Sequence, residues 1–265
     1  MSEVHGDGDR GLALVREPSP ALQDGMVTHL ERTPVDVERA RDQHRAYVDV
    51  LRRHGWRPVV VPDGDAHPDG VFVEDTVVVV DDVAVLTRPG AEIRRPEVAA
   101  TGATVAGLGL EVRRLVEPAT LDGGDVLQVG RTVYVGVGGR TNGDGVRQLR
   151  DLLAPLGRVV VPVPLRDVLH LKSAITALPD GTLIGLGHLV DVDGLPSLRT
   201  PPDPPGAHVV DLGGGVTLLS ASAPATAAWL DGLGFDVVHA DIGEFERLEG
   251  CVTCLSVLIP TRSSG

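Results

Sequence analysis

The chain has 265 residues, 42% of them hydrophobic and 23% charged, a balance that allows one domain with a sizeable core and excludes disordered or fibrous classes. Against 24 basic residues stand 37 acidic ones, a formal charge of -13 that repels a phosphate backbone, so nucleic acid is not an expected partner. No stretch approaches the roughly 18 to 20 apolar residues of a membrane span, and Met1-Ser2-Glu3-Val4-His5-Gly6-Asp7 lacks the basic and apolar regions of a secretory signal, so the cytoplasm is the expected compartment and no membrane partner is expected.

A single domain over 1–265 is expected, with residues 1–10 and 261–265 as flexible ends. Glu17-Pro18-Ser19-Pro20 through Thr33-Pro34, with Gly25 in its middle, reads as a mobile loop. Ala40, His44, Tyr47 and Leu51 share one face of a helix predicted from about Val37 to His54. Pairs of short Val/Leu/Ile-rich runs follow, joined by tight turns as in β-hairpins. Thr76 to Val80 and Val83 to Thr87 flank Asp81-Asp82, Val126 to Val129 and Thr132 to Val137 flank Gly130-Arg131, and Ala174 to Leu178 and Thr182 to Gly185 flank Pro179-Asp180-Gly181. Gly55, Gly109, Gly157 and Gly234 each stand where a helix would stop before a strand. The hairpins recur about every fifty residues, which predicts an α/β array of about five ββαβ units closed into a ring or stacked. In the fourth unit Leu195-Pro196 and Pro201-Pro202-Asp203-Pro204-Pro205 replace the helix, because proline cannot propagate one.

Two cysteines, Cys251 and Cys254, stand in Gly250-Cys251-Val252-Thr253-Cys254-Leu255-Ser256 ahead of a last strand. They cannot build a disulfide framework, a strand rather than a helix follows them, and no second pair completes a structural zinc site. A core thiol or a nucleophile remains, and a nucleophile needs help, since at a pKa of about 8.5 roughly 3% is thiolate at pH 7. His170, in Val168-Leu169-His170-Leu171-Lys172-Ser173, is the histidine best placed to supply it, on one face of a strand end with Lys172. Its bland alternative is a satisfied sheet-edge histidine. Acidic candidates are Asp69, Glu74 and Asp75 in Asp69-Gly70-Val71-Phe72-Val73-Glu74-Asp75, and Asp122 and Asp125 in Leu121-Asp122-Gly123-Gly124-Asp125. Alone, the first group reads as a solvated hairpin mouth and the second as a turn using glycine for positive φ. Together in a cleft they would select a cation, and a planar guanidinium uses paired carboxylate oxygens best.

Leu14-Val15-Arg16, Val71-Phe72-Val73-Glu74-Asp75, Thr87-Arg88-Pro89-Gly90-Ala91 with Arg94-Arg95, Leu121 to Leu127, Arg140-Thr141-Asn142, Leu169 to Ser173 and Gly250 to Ile259 occur in this order over nearly the whole chain. In this the sequence resembles the dimethylarginine dimethylaminohydrolases of the guanidine-modifying superfamily. The resemblance implies a five-bladed ββαβ propeller, the pentein fold, with pseudo-fivefold symmetry. It implies Cys254 as nucleophile, His170 as acid/base and Asp122 as the acid that contacts the guanidine and orients His170, while Cys251 matches no functional position. Asp69, Phe72, Glu74 and Asp75 would hold the guanidinium and the charged groups of the substrate, Arg94 and Arg140 its α-carboxylate, and the backbone of Val27 and Leu248 its α-amino end. Val27 stands where relatives commonly carry leucine.

The implied reaction converts asymmetric dimethylarginine or monomethylarginine to citrulline through a covalent thiouronium on Cys254. No cofactor or metal is implied; the partner is the small-molecule substrate, and a homodimer stays open. Alternatives are an arginine deiminase-like hydrolase, a non-catalytic propeller that binds a guanidine or a protein, and a thiol-redox protein.

Overall fold

A computed structural model describes residues 9–62 and 64–261. Five three-stranded sheets carry the fold, and each sets an antiparallel pair of strands beside a third strand that runs parallel to the central one; the antiparallel pair is a hairpin in four of the sheets. The first blade contains β1 (Gly11–Val15), α1 (Val37–Arg53) and β2 (Trp56–Val60). The second runs β3 (Val77–Val80), β4 (Val83–Leu86), α2 (Glu97–Gly107) and β5 (Glu111–Arg114). The third has β6 (Val126–Val129), β7 (Thr132–Val137), α3 (Gly143–Leu153) and β8 (Val159–Pro164). The fourth has β9 (Ile175–Ala177), β10 (Leu183–Gly185) and β11 (Leu198–Arg199), with 3-10 turns and loop in place of a helix. The fifth has β12 (Val210–Gly213), β13 (Val216–Ser220), α4 (Pro224–Asp231) and β14 (Asp236–Ala240). After the short α5 (Gly243–Glu246), β15 (Val257–Pro260) returns to pair antiparallel with β1 and completes the first blade.

Local chemistry accounts for these elements. Asp36 caps α1 by accepting from the Arg39 N–H at 3.1 Å, and Ala40, His44, Tyr47 and Leu51 are its buried face, as their spacing predicts. The four predicted helix stops Gly55, Gly109, Gly157 and Gly234 all take positive φ, between 66° and 90°. Arg10 and Thr261, expected in flexible ends, are tied down: Thr261 N–H donates to the Arg10 carbonyl at 2.8 Å and Arg10 N–H to Gly55 at 3.0 Å. Asp9 is held as well, its carbonyl accepting from Thr261 Oγ1 at 2.9 Å, and the other residues of those ends lie outside the described ones.

No blade is thick enough to bury both of its faces, so each packs on the next. Leu14 and Ile259 of the first blade meet Val77, Leu86 and Val105 of the second. Val78 and Val85 then meet Leu149 and Leu153 of α3, Leu127 and Val163 meet Ile175 and Leu183, and Ile184 meets Leu219 and Leu230. Leu212 and Leu218 meet Tyr47 and Leu51 of α1, which closes the ring. In the helix-free fourth blade Val190, with Leu189 and Leu195 packed beside it, supplies the apolar surface that a helix provides elsewhere.

A short turn leads into the antiparallel edge strand of each blade. The 3-10 turns Val73–Thr76, Gly123–Asp125 and Leu171–Ser173 precede β3, β6 and β9, and a run of turn residues from 252 to 255 precedes β15. These equivalent positions carry Asp75, Asp122 with Asp125, His170 and Cys254. Fivefold pseudosymmetry thus brings together residues scattered over 180 positions of sequence.

Candidate active site

Cys254, His170, Asp75, Asp69, Phe72, Arg94, Arg140 and Leu248 line one narrow pocket. His170 is 3% exposed, with Nε2 3.0 Å from Asp122 Oδ2 and Nδ1 3.8 Å from Asp75 Oδ1. It lies in extended backbone just before a 3-10 turn rather than in the expected strand, and the turn sends Lys172 away to Glu74, Nζ to Oε1 2.6 Å. Asp125 fixes this turn from below: its Oδ1 accepts from Leu171 N–H at 2.9 Å and its Oδ2 from Thr141 at 2.5 Å. Gly124 is required by space and not, as expected, by positive φ. A Cβ there would sit 2.6 Å from His170 Nδ1 and 2.8 Å from Asp75 Oδ1, while the Gly124 N–H donates to Asp75 Oδ1 at 2.9 Å.

Charge is closely balanced. Asp75 Oδ2 receives Arg94 Nη1 at 2.5 Å, and Glu97 takes Arg94 Nε at 3.1 Å and Nη2 at 2.9 Å. The carbonyls of Asp69 and Phe72 accept from Nη2 as well, each at 3.2 Å. Asp122 accepts Gly90 N–H at 2.8 Å and lies 3.8 Å from Arg140. Burial would strip His170 of its proton, but Asp75, Asp122 and Asp125 outweigh it and raise the imidazole to about 10. Burial pushes Asp125 to about 7 and, against the pull of Lys172, Glu74 to about 7. The sulfurs of Cys254 and Cys251 are 3.1 Å apart. The Cys251 sulfur and burial push the Cys254 thiol well up, and Cys251 moves down, because the pair shares one proton once the other is lost.

His170⁺ stabilises the fold, with a sign set by its raised pKa. The contribution is complete below pH 6.5 and is lost as pH rises through about 10. The stability gap between the wild-type chain and His170→Gln should therefore narrow steadily from pH 7 to pH 10. Urea midpoints at matched pH measure it, and a gap that widens with pH would refute the charged assignment.

Asp75, Asp122 and His170 place ligand atoms within 4.8 Å of one another, the spacing of a metal site. The imidazole carries a proton on both nitrogens in its charged form, and Arg94 already sits on Asp75, so this set holds its cations as side chains.

Two comparisons place this geometry among known proteins; a scan of family models matches none. The chain is 58% identical over 246 residues, 92% of it and 95% of its relative, to an N(G),N(G)-dimethylarginine dimethylaminohydrolase of Streptomyces coelicolor. It is 31% identical to one of Pseudomonas aeruginosa over 92% of this chain and 97% of that one. The chain belongs to the dimethylarginine dimethylaminohydrolase family. Among solved structures of the family, a cysteine-to-serine mutant of the Pseudomonas aeruginosa enzyme complexed with citrulline superposes with a TM-score of 0.86 at 29% identity, covering 96% of this chain and 100% of that one. At 20% identity the N-terminal domain of a cyanobacterial arginine dihydrolase shares the fold, with a TM-score of 0.84 over 94% of this chain and 97% of that one. The fold is the pentein propeller that the resemblance implied, and it is the ring rather than the stack that the repeat period left open.

Three expected residues do not line the pocket of this dimethylarginine dimethylaminohydrolase family member: Asp122, fully buried, stands behind His170 Nε2, and Glu74 and Val27 turn elsewhere. Glu74 turns to Lys172 and to Thr253 Oγ1, 3.1 Å from its Oε2, on the far side of the turn. Val27 packs against the core cluster of the first and fifth blades, and Met26 lines the pocket in its place, its N–H donating to Asp69 Oδ1 at 2.9 Å.

Glu249, absent from the sequence-based set, also lines the pocket and holds the loop over it. Its carboxylate accepts the backbone N–H groups of Thr28 and Leu30, each at 2.9 Å, and of His29 between them. Arg140 Nη2 reaches Thr28 Oγ1 at 3.3 Å. Glu249→Ala should raise amide exchange of residues 28–30 about 10-fold or more, since charge-assisted bonds contribute roughly 1.5–3 kcal/mol each. Unchanged exchange in mass-spectrometric mapping would mean the loop is held by other contacts.

Proposed function

We propose that the chain hydrolyses asymmetric dimethylarginine and monomethylarginine to citrulline, releasing dimethylamine or methylamine. The observation that carries this reading is the convergence of Cys254, a protonated His170 bracketed by Asp75 and Asp122, and two arginines on one pocket. Asp75 receives the guanidinium and Asp122, behind His170, holds the imidazole toward it, while Arg94 and Arg140 face the substrate α-carboxylate and Asp69 the α-amino group.

Each group acts through a property already described. Before substrate arrives, burial and Cys251 hold the Cys254 thiol protonated. A guanidinium beside it supplies the missing positive charge and favours the thiolate. Sulfur then bonds to the guanidinium carbon. His170, an acid of pKa about 10, is matched to an alkylamine leaving group and gives it a proton as the carbon–nitrogen bond breaks. The thiouronium remains on sulfur. His170, now neutral, takes a proton from water, and hydroxide adds to the same carbon. As that adduct collapses the carbon–sulfur bond breaks and its hydroxyl proton passes to solvent, which frees citrulline and restores the thiolate.

The cytoplasm is the proposed compartment, whose reducing poise keeps neighbouring cysteines as thiols. Offering asymmetric dimethylarginine, monomethylarginine and arginine in parallel and measuring citrulline tests the substrate reading. Release from both methylated forms is the expected result; release from arginine alone would make the chain a deiminase.

A further inference from the structure

We propose that Cys251 is a resolving thiol that captures oxidised Cys254 as an intrachain disulfide, making the nucleophile a reversible target of hydrogen peroxide. The inference rests on Cys254 being the nucleophile of the proposed reaction.

Placement of the two thiols carries the inference. Their sulfurs are 3.1 Å apart, and a disulfide of about 2.05 Å needs roughly 1 Å of further approach. The backbone already permits it: Cys254 N–H donates to the Cys251 carbonyl at 3.0 Å, and a four-residue turn keeps its end Cα atoms within about 7 Å, close to the span a disulfide bridges. The cysteines also differ in access. Cys254 lines the substrate pocket, and Cys251, 3% exposed, lies behind it and is not among the lining residues. A small neutral oxidant entering by the substrate route therefore meets Cys254 first.

Cys251 has an outlet for its proton. Its sulfur is 3.2 Å from Thr253 Oγ1, which donates to Glu74 Oε2 at 3.1 Å. In the first step the Cys254 sulfur attacks peroxide and gives up its thiol proton; the O–O bond breaks, an S–O bond forms, and the displaced hydroxide takes that proton and leaves as water. Two electrons pass from sulfur to peroxide. In the second step Cys251 sulfur attacks the Cys254 sulfenic acid; the S–O bond breaks, the S–S bond forms, and the thiol proton, passed through Thr253 toward Glu74, balances the proton that leaves with hydroxide as a second water. The bond ties up the nucleophile and shields it from oxidation to the sulfinic acid.

The test compares the full chain with Cys251→Ser and Cys251→Ala, each exposed to peroxide, quenched and then given dithiothreitol. Intact mass should show the wild-type chain lighter by two hydrogens, with a peptide cross-linked between Cys251 and Cys254. Both variants should instead gain two or three oxygens. Citrulline production should return to within about twofold of the untreated level in the wild type, while the variants should recover less than about a tenth of theirs. Wild-type chain that gains oxygens without losing hydrogens, or variants that recover as fully as the wild type, would overturn the proposal. The mass readout needs no turnover, so it stands apart from any failure of the substrate assignment.

Discussion

Replacing Cys254 by serine should lower citrulline release from asymmetric dimethylarginine by about 10⁴-fold or more, the scale seen when a covalent nucleophile is removed. The substitution changes one atom and leaves the turn before β15 intact. A guanidinium can draw the proton from a thiol, whose ordinary pKa is about 8.5, but cannot ionise an alcohol in a pocket without a free base, and His170 is already charged. Wild-type chain quenched with acid during turnover should carry the thiouronium on the peptide containing Cys254, and the serine variant should carry none. Appreciable single-turnover citrulline from Cys254→Ser would remove the covalent scheme, whatever the fate of the substrate assignment.

Arg94→Ala should cost about 3–5 kcal/mol of folding stability, because it strands buried charges. The Arg94 guanidinium is 4% exposed and ties together Asp75, Glu97 and the carbonyls of Asp69 and Phe72. Without it Glu97 loses both of its charge-assisted bonds from the guanidinium, and Asp75 keeps only the Gly124 N–H and the His170 imidazole 3.8 Å away. A fall in melting temperature of roughly 10 °C follows for a domain of this size. Arg140 is the contrasting case: 12% exposed at its side chain and 3.8 Å from Asp122, it should cost less than about 1 kcal/mol when replaced by alanine. Its loss should appear as a raised KM. Calorimetry on the two variants separates these roles, and equal destabilisation would show that Arg94 is no more a structural tie than Arg140.

The repeat was legible because its physics is local. Hairpin turns, a helix face at i, i+4, i+7 and i+11, and glycines that stop helices are written within a dozen residues of one another. Ring closure was legible only as a consequence of repetition, since no unit can bury its faces alone. The site was less so. Adjacent acids in a 3-10 turn point to opposite sides, and nothing in Glu74-Asp75 says that the second faces the pocket while the first pairs with Lys172. Likewise a pattern that alternates along a strand misleads at Leu169 to Lys172, where a turn follows His170. Glu249 joins residues 28–30 across some 220 positions, a contact visible only in three dimensions. Gly124 was marked in sequence for the wrong reason, since crowding by His170 and Asp75 excludes any side chain there.

The pairing of β15 with β1 bears on the order in which this protein is made. Ile259 lies opposite Leu12, so the first blade stays an unfinished sheet while the other four are translated and can pack. Cys254 is attached directly to the strand that completes it. His170, Asp122 and the arginines therefore leave the ribosome before the sulfur of Cys254, which is carried into place with the strand that shuts the ring.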